Sequence, residues 1–218
     1  MLSVNIAGEP AELLPERALW LPNRRRLLIA DPHFGKAGVF RRHGIPLPSG
    51  TTEDDLNRLG RLIARFQPEQ LLILGDFFHA RPEVEEPWLD TFARWRRCHG
   101  ELPITVIVGN HDRHAGAPDP GWNLVWSAAE QRLGPFVLAH EPMQVPGAHV
   151  LAGHLHPVLR LRGRTDRLRL PVFWVRSGCT VLPSFGSFTG GHPVKPAAGD
   201  RVYAVGPGAV VDCTGARV

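Results

Sequence analysis

Short, continuous apolar runs are the most regular feature of the sequence. They are LLIA (27–30), LLIL (71–74), ITVIV (104–108), FVLA (136–139) and HVLAG (149–153). Apolar runs of this length are typical of strands that are buried on both faces, as in a sheet covered by helices. The pattern therefore predicts five internal strands.

Two segments between these runs have helical periodicity, TTEDDLNRLGRLIARF (51–66) and EEPWLDTFARWRRC (85–98). The first begins with a threonine cap and has acidic residues in its first turn, which is typical of a helix start. Apolar residues fall on one face of each segment, namely Leu56, Leu59, Ile63 and Phe66 in the first and Trp88, Leu89, Phe92 and Trp95 in the second. We interpret the tryptophans as core residues rather than as base-stacking residues. Strands that alternate with helices predict a layered α/β domain.

The last third of the chain, residues 157–218, is rich in Gly, Pro and Val and contains the strand-like segments FWVRS, TVLP and RVYAV. We expect it to form a mostly β second half of the same sheet system. The sequence has no recognisable linker, internal repeat or low-complexity tract, and 218 residues suit one domain with its own core. A single domain over 1–218 is therefore predicted.

Composition and charge are those of an ordinary soluble protein with a basic bias. Hydrophobic residues make up 43% and charged residues 21% of the chain, the net charge is +4 and the pI is about 9.5. This balance suits a polyanionic partner without requiring one. The basic residues are nearly all arginine, which binds phosphate well, although a high-GC genome produces the same bias.

Cysteine usage and the lack of targeting patterns predict a cytoplasmic protein. The three cysteines, Cys98, Cys179 and Cys213, have no metal or redox spacing and fit a reducing compartment. The N-terminus lacks the layout of a signal peptide. No apolar run is long enough to cross a membrane.

Polar side chains follow every one of the five predicted strands. The residues at these strand ends are Asp31 and His33, then Asp76, then Asn110, His111 and Asp112, then His140, and finally His154 and His156. In open α/β sheets the carboxyl ends of the strands form the edge where ligands bind. The sequence therefore predicts one ligand site built from five strand ends.

The residue types at these strand ends indicate metal ions. Imidazole with carboxylate and amide oxygen suits Mn, Fe or Zn better than Ca or Mg. These groups outnumber the ligands of one tetrahedral metal, and they fit two metals about 3.5–4 Å apart that share a bridging carboxylate. On extended backbone, residues i and i+2 point the same way, so Asp31 with His33, and His154 with His156, would each present two ligands to one site.

Each of these residues also has an ordinary structural explanation. Asp31 and Asp76 could belong to turns, Asn110 could cap a helix, and His140 could be a hydrogen-bonded core histidine. His154 and His156 alone would not distinguish the two interpretations. The coincidence of such groups at five successive strand ends favours the metal site.

These blocks resemble the five-block motif of the calcineurin-like metallophosphoesterases. Asp-x-His, Gly-Asp, Gly-Asn-His-Asp, His and Gly-His-x-His occur in that family's order over residues 31–156. The resemblance implies an α/β fold, a four-layer αββα sandwich of two mixed sheets flanked by helices. It implies two divalent ions, Mn²⁺ by family resemblance with Fe or Zn as alternatives. The first ion would be bound by Asp31, His33, Asp76 and His156, and the second by Asp76, Asn110, His140 and His154.

The same resemblance implies catalytic roles for two further residues. His111 matches the family's histidine that lies beside the metals and contacts the phosphate or the leaving group, so it is the candidate general acid. Asp112 matches the carboxylate that orients this histidine.

Two segments outside the metal blocks resemble a narrower group, the PdeM-type phosphoesterases. They are FGKAGVFRRHGIPLPSG (34–50) and LPSFGSFTGG (182–191). That group consists of bacterial proteins associated with ATP-dependent DNA ligase, helicase and exonuclease partners. The resemblance implies a DNA-repair endonuclease with a DNA substrate.

Basic residues near the metal blocks are candidates for substrate binding. Lys36, Arg41, Arg42 and His43 are expected to form a basic loop after the first block, where phosphate contacts would be sensitive to salt. His79 and Arg81 follow Asp76 and could position phosphate. A solvated surface loop explains either group as well.

The function that these observations favour is a metal-dependent phosphodiesterase acting on nucleic acid. A phosphomonoesterase or small-nucleotide phosphodiesterase would use the same ligands. A partner-binding subunit of a ligase or helicase repair complex is an alternative of a different class. The sequence leaves open the physiological metal, endonuclease against exonuclease action, and the formation of homo-oligomers.

Overall fold

Seven strands from the first part of the chain form one mixed sheet. The computed structural model describes residues 1–42, 44, 50–83, 86–162 and 167–215. The strands of this first sheet, in spatial and chain order, are β1 (Leu2–Ile6), β2 (Glu9–Leu13), β3 (Leu19–Leu21), β4 (Arg26–Ile29), β5 (Gln70–Leu74), β6 (Ile104–Ile107) and β7 (Val125–Ser127). Neighbours are antiparallel from β1 to β4 and parallel from β4 to β7.

The second sheet is built from later strands. They are β8 (Gln131–Leu133), β9 (Phe136–Leu138), β10 (His149–Ala152), β11 (Pro157–Arg162), β12 (Arg167–Arg176), β13 (Cys179–Val181), β14 (His192–Pro193), β15 (Arg201–Gly206) and β16 (Ala209–Asp212). Their order is β14-β11-β12-β13-β10-β9-β8, and β15 pairs with both β12 and β16. Parallel pairs join β10 to β9 and to β13, so this sheet is also mixed.

Four α-helices are present in the described residues, all of them before residue 116. They are α1 (Lys36–Arg42), α2 (Thr51–Phe66), α3 (Pro87–Cys98) and α4 (Asn110–Ala115). Helix α2 has the predicted bounds, although its N-cap is Gly50 and no side chain caps it. Helix α3 begins at Pro87, the first helical position, where the missing N–H of proline costs no hydrogen bond. None of the helices in the described residues is both long and apolar enough to span a membrane.

The prediction of a basic loop after the first metal block is wrong, because residues 36–42 form helix α1. Ala37 is buried on this helix, and the Lys36 ammonium lies 5.7 Å from the centre of the Phe40 ring one turn later. Arg41 and Arg42 occupy the last turn, where cations are favourable at the negative end of the helix dipole. His43 lies outside the described residues.

Two large cores explain the continuous apolar runs. Along β4, Leu27 and Ile29 pack in the core beneath helices α2 and α3, while Leu28 packs in the core between the two sheets. One face of the strand is therefore covered by helices and the other by the second sheet. The prediction of strands buried on both faces is confirmed, but only one of the covering layers is helical.

The predicted helix faces are confirmed as well. Leu56 and Leu59 of α2 and Phe92 of α3 are buried in the helix-side core, and Trp88 is 8% exposed there. Trp95 packs against the same core. The interpretation of both tryptophans as core residues therefore agrees with the structure.

The two mixed sheets and the flanking helices agree with the predicted fold class. The C-terminal segment belongs to a second sheet rather than to an extension of the first. The outer face of this second sheet packs against Met143, Val145 and Leu155, which lie outside the strands. Among the described residues no helix belongs to this outer cluster, so loops form the fourth layer.

Candidate metal centre

The strand ends of both sheets bring the seven predicted metal ligands together. Strands β4, β5 and β6 of the first sheet and β9 and β10 of the second end at this place. The seven residues are Asp31, His33, Asp76, Asn110, His140, His154 and His156. Asp31, His33, Asp76 and His140 are buried, and the other three are partly exposed. The site is thus largely buried and reaches solvent at Asn110, His154 and His156.

Asp76 lies between two groups of histidines. Its Oδ2 is 3.7 Å from His33 Nε2, and its Oδ1 is 3.5 Å from His140 Nε2. Asp76, His33 and His156 form one group whose ligand atoms all lie within 4.8 Å of one another, and Asp76, His140 and His154 form a second. A carboxylate shared by two such groups can bridge two ions.

The remaining predicted ligands complete these two groups. On the first side, His156 Nε2 is 3.2 Å from His33 Nε2 and 3.5 Å from Asp31 Oδ2. On the second side, Asn110 Oδ1 is 2.9 Å from His140 Nε2 and 3.0 Å from His154 Nδ1. Asn110 is the first residue of helix α4, whose N-cap is Gly109, so the alternative of Asn110 as a helix cap does not apply.

The hydrogen-bonding state of the histidines fits cation binding. His140 Nδ1 donates to the Leu74 carbonyl oxygen at 3.2 Å, which leaves the lone pair of Nε2 facing the site. Burial, followed by the charge of Lys36, lowers the pKa of His156 to about 4. Burial also lowers the pKa of His33, with His156 as the next cause. Neutral imidazoles with ring nitrogens directed at each other are suited to a shared cation.

The carboxylates at the centre also fit cation binding. Asp31 is fully buried, and its Oδ1 has no hydrogen-bond donor among the described residues. Burial, and then repulsion from Asp76, raises the pKa of Asp31 well above its usual value. A buried carboxylate beside another is unfavourable unless positive charge compensates it. The donor set at the predicted positions therefore fits divalent cations.

The backbone at the ligands differs from the expected extended conformation. Five ligands have positive φ, namely Asp31 (48°), His33 (48°), Asp76 (45°), His154 (69°) and His156 (46°). The expected extended backbone at Asp31–His33 and His154–His156 is therefore wrong, although both pairs do meet at one site. The chain has already left the strand at these residues, and alternate left-handed residues turn both side chains of a pair inward.

Two glycines leave the space that the ligands occupy. Gly75 has φ +82°, and a Cβ there would overlap the His140 ring. A Cβ on Gly109 would overlap the carboxylate and backbone N of Asp76. The Gly-Asp and Gly-Asn-His-Asp motifs thus have a steric basis.

His111 lies beside the first group of ligands. Its ring centre is 5.0 Å from that of His33, and its backbone N–H donates to Asp76 Oδ1 at 3.0 Å. Its Nδ1 donates to the carbonyl oxygen of His79 at 2.6 Å, because a carbonyl can only accept. Nε2 is then the nitrogen that remains for a substrate.

The orienting role of Asp112 stays a prediction, since the hydrogen bonds of its carboxylate go to backbone N–H groups. The buried Asp112 carboxylate accepts hydrogen bonds from three backbone N–H groups, those of Gly109 (2.9 Å), Phe77 (3.2 Å) and Phe78 (2.9 Å). Asp112 therefore joins the loops after β5 and β6, and it is the carbonyl of His79 that accepts from His111 Nδ1. The motif identifies Asp112 as a residue of the site, but the contacts that Asp112 makes depend on the conformation of the loops.

His79, predicted as a residue that positions phosphate, lies directly beside His111 and His33. It stacks on His111 with ring centres 5.3 Å apart, and with His33 and His111 it forms a third group of ligand-type atoms within 4.8 Å. Burial, and then Lys36, lowers the pKa of His79 to about 4. Arg81 is exposed two residues later.

The basic residues of helix α1 fall into two classes. Lys36 lines a small cavity together with His33, which places this cation beside the centre, and its positive charge contributes to the lowered pKa of His33, His79 and His156. Arg42 forms ion pairs with Glu83 at 3.4 Å and with Glu86, so the prediction of Arg42 as a phosphate contact is not supported. Arg41 is exposed on the side of the helix that faces Gly50 and Trp88.

Sequence reasoning missed residues that hold the segment 184–190 against the centre. Ser184 Oγ donates to the Asp31 carbonyl oxygen at 2.7 Å. Ser187 N donates to Asp55 Oδ2 at 3.0 Å, and Asp55 also pairs with Arg58 at 2.9 Å. The segment LPSFGSFTGG (182–191) contains both serines. Nothing in the sequence distinguishes Asp55 from any other polar residue near the start of a helix.

Arg17 is a further residue that the sequence did not indicate. Its guanidinium donates to the Gly186 carbonyl oxygen at 3.2 Å, across 169 residues of chain. It lines a cleft of about 190 Å³ together with His156, Arg169 and Thr189. Because His156 belongs to the first ligand group, this cleft opens onto the metal centre.

Comparison with known proteins agrees with this geometry. The model of the calcineurin-like phosphoesterase family matches residues 24–170. The crystal structure of nuclease MPE from Pseudomonas putida is 42% identical, with a TM-score of 0.86 over 97% of this chain and 98% of that chain. The phosphoesterase Yfce from E. coli is 17% identical, with a TM-score of 0.39 over 82% of this chain and 86% of that chain. A search of curated proteins gives no match.

The family match covers more than half of the chain and includes all seven predicted ligands. The chain belongs to the calcineurin-like phosphoesterase family and is a metal-dependent phosphoester hydrolase.

Proposed function

We propose that the protein is a dinuclear-metal-dependent phosphodiesterase that cleaves DNA internally. The observation that carries this proposal is the position of Asp76, whose two carboxylate oxygens face two separate histidine groups. Similarity to a nuclease over nearly the whole chain supports a nucleic-acid diester as the substrate. We further propose Mn²⁺ as the ion, because the ligands mix imidazole with oxygen donors.

The proposed ligands of the first ion are Asp31, His33, Asp76 and His156, and those of the second are Asp76, Asn110, His140 and His154. When bound, two such ions supply positive charge for the phosphoryl oxygens and lower the pKa of a water molecule. The protein contributes rigid placement, because Asp31 and Asp76 are held by backbone hydrogen bonds from His154 and His111.

His111 is the proposed general acid. Its Nδ1–H is fixed by the His79 carbonyl oxygen, so Nε2 is the atom that would give a proton to the leaving oxygen. The stacked His79 restricts rotation of the His111 ring. A donor fixed in this way favours protonation of one of the two ester oxygens.

We propose that the positive charge of Lys36 attracts the phosphodiester anion of the substrate to the site. This charge acts on three histidines of the site, so it acts equally on a phosphodiester anion that enters there. Lys36 lies on α1 within the segment that resembles the PdeM-type group. Lys36 also lines a small cavity together with the predicted ligand His33.

The proposal is tested with a pair of small substrates. Hydrolysis of bis-p-nitrophenyl phosphate, a diester, is compared with that of p-nitrophenyl phosphate, a monoester, in the presence of Mn²⁺. We expect preference for the diester and loss of activity in Asp76→Asn. A preference for the monoester would identify a phosphatase, and no metal-dependent hydrolysis of either substrate would contradict the catalytic proposal.

The DNA part of the proposal has its own test. Covalently closed circular DNA has no ends, so its linearisation or nicking with Mn²⁺ distinguishes an endonuclease from an exonuclease. Single-stranded and duplex circles of the same sequence compare the two structures. Cleavage of the small diester without cleavage of either circle would favour a small-nucleotide phosphodiesterase.

The cellular setting is also a proposal. The resemblance of segments 34–50 and 182–191 supports a role in DNA repair in the cytoplasm, beside an ATP-dependent DNA ligase, a helicase and an exonuclease. A deletion strain carrying Asp76→Asn tests the role of catalysis. If this variant restores resistance to DNA damage as well as the wild type does, partner binding rather than hydrolysis is the main function.

A further inference from the structure

Strands β11 and β12 form a hairpin with an unusual arrangement of charge. In their antiparallel register Arg160 is directly opposite Arg169, and Arg162 is opposite Arg167. Together the two strands contain five arginines and no acidic residue. Like charges placed directly opposite each other destabilise a sheet. Such an arrangement is favourable only where anions neutralise it.

The opposed arginines are available to such an anion. Arg160 and Arg169 are both exposed. Arg169 donates one hydrogen bond to the Gly191 carbonyl oxygen at 2.8 Å. No ion pair to a carboxylate is found for either side chain within the described part of the chain. Directly opposite residues of an antiparallel pair share one face of the sheet, so the two guanidiniums lie on the same side.

This charged face continues into the metal centre. Arg169 lines the cleft of about 190 Å³ described above, together with Val158 and Pro171, the next opposed pair on the same face. The same cleft is also lined by Arg17 and by the predicted ligand His156. Arg160, Arg169 and Arg17, which we name the arginine strip, therefore lead from the hairpin to the ligands.

The length of the arginine strip indicates a polymer rather than a single nucleotide. Arg160 is three residues along β11 from Pro157, which is about 10 Å at about 3.3 Å per residue. Nucleic acid carries one phosphate for every 3.4 Å or so of axial rise in each strand. Only a ligand with several phosphates can contact Arg160 while another of its phosphates lies at the metal centre.

We propose that the arginine strip binds backbone phosphates of a nucleic acid on one side of the bond that is cleaved. The inference rests on the proposed function for the cleavage step, but binding by the arginine strip does not require metal. Arg160 holds a phosphate outside the cleft, and Arg169 and Arg17, which both line the cleft, hold phosphates within it. These contacts read the phosphate backbone and carry no base sequence information.

The first test measures binding in EDTA, which separates it from cleavage. A fluorescein-labelled DNA oligonucleotide is titrated with wild type, Arg160→Ala, Arg169→Ala and the double variant over a series of KCl concentrations. We expect the affinity to fall roughly two- to fivefold for each arginine, the size of an exposed charge pair. The slope of log affinity against log salt should become shallower by about 0.7 to 0.9 for each lost contact.

Arg176→Ala is the matched control. It removes the same charge from β12, but Arg176 is on the opposite face by strand alternation and lies over the Trp174 ring at 4.7 Å. This control should bind DNA like the wild type. Equal losses in Arg160→Ala and Arg176→Ala would show a general charge effect and would overturn the inference.

A second test uses the Mn²⁺-loaded enzyme. The ratio of kcat/KM for DNA to kcat/KM for bis-p-nitrophenyl phosphate should fall in the Arg160→Ala and Arg169→Ala double variant, because the small diester has no second phosphate. An unchanged ratio and an unchanged salt slope would contradict the arginine strip while leaving the diesterase proposal intact. Failure of the wild type to hydrolyse the small diester would instead contradict the proposed function.

Discussion

At the scale of single residues, several predicted metal ligands have backbone φ angles that are energetically unfavourable. Five ligands occupy left-handed positions, which are uncommon for residues other than glycine but several-fold enriched for Asn, Asp and His. Such positions cost of the order of 1–3 kcal/mol each and persist only where other contacts hold them. Here the contacts include Asp31 N to the Gly75 carbonyl at 3.2 Å and His33 N to the Asp76 carbonyl at 3.0 Å. The strand ends are thus joined by hydrogen bonds beyond the regular sheet.

The space beside Asp76 gives the first prediction at this scale. Gly109→Ala places a Cβ against the Asp76 carboxylate and backbone N, so Asp76 must move. We expect Mn²⁺ affinity, measured by isothermal titration, to fall about 10- to 100-fold, as when a ligand's supporting contacts are lost. Gly100→Ala is the control, since its Cβ would meet only the Arg97 carbonyl at 3.6 Å. Equal affinities in the two variants would contradict the steric account.

The contacts of Asp112 give a second prediction. Asp112→Asn exchanges one acceptor oxygen for an NH₂ group that faces a backbone N–H, so one buried donor loses its partner. We expect the free energy of unfolding, from urea denaturation, to fall by about 1–3 kcal/mol. If Asp112 instead acted by orienting His111, stability would be unchanged and only the pH profile of kcat would move.

At the scale of secondary-structure elements, packing between elements decides what the sequence could predict. The internal strands and α2 were predictable, because continuous apolar runs and a single helical face follow from burial alone. The three N-terminal strands were not, since LSVNI and EPAEL bury alternate residues only in part. The second sheet was not distinguished from the first, because an apolar run is the same whether a helix or another sheet covers it.

The predictability of the site follows the same division. The ligand residues were predictable from their positions after the apolar runs. The contacts of Asp112, the helix at 36–42 and the contribution of Arg17 were not. Each depends on contacts between segments far apart in the chain, such as Arg17 with Gly186.

The contact between α2 and the segment 184–190 supports a third prediction. Asp55 is 4% exposed and accepts hydrogen bonds from both N and Oγ of Ser187, while Arg58 pairs with it at 2.9 Å. Asp55→Ala leaves Arg58 and Ser187 without this acceptor. We expect destabilisation of about 2–4 kcal/mol in urea denaturation, more than for Ser187→Ala.

A double-mutant cycle checks this contact. The effects of Asp55→Ala and Ser187→Ala should not add, with a coupling of about 0.5–3 kcal/mol. Hydrogen exchange should become faster in residues 184–190 of either variant. Additive effects would show that the two residues stabilise the fold separately.

At the scale of the whole molecule, the centre joins the two sheets and places two buried carboxyl groups, those of Asp31 and Asp76, at their junction. Asp31 follows a strand of the first sheet, and its carboxylate accepts from the backbone N of His154, which follows a strand of the second, at 2.8 Å. Metal binding at this junction should therefore stabilise the fold as a whole, since only the folded state assembles the ligands.

Metal removal gives the fourth prediction. The folded-state pKa of Asp31 lies above its ordinary value of 3.8, so the metal-free folded state loses stability as pH rises above 3.8. In EDTA, the Tm of Asp31→Asn should equal or exceed that of the wild type, and the difference should grow with pH. With Mn²⁺ we expect the reverse order, because Asp31 is a proposed ligand and its loss should weaken metal binding. A lower Tm for Asp31→Asn in EDTA at every pH would contradict this account of the buried carboxylate.

The most direct test of the central claim counts bound metal and activity in the same samples. Wild type and Asp76→Asn are loaded with Mn²⁺, freed of excess metal, and analysed by inductively coupled plasma mass spectrometry and by hydrolysis of bis-p-nitrophenyl phosphate. The account predicts two ions per chain and diester hydrolysis in the wild type, with fewer than two ions and no hydrolysis in Asp76→Asn. A single ion in the wild type, or full activity in Asp76→Asn, would contradict a dinuclear centre bridged by Asp76.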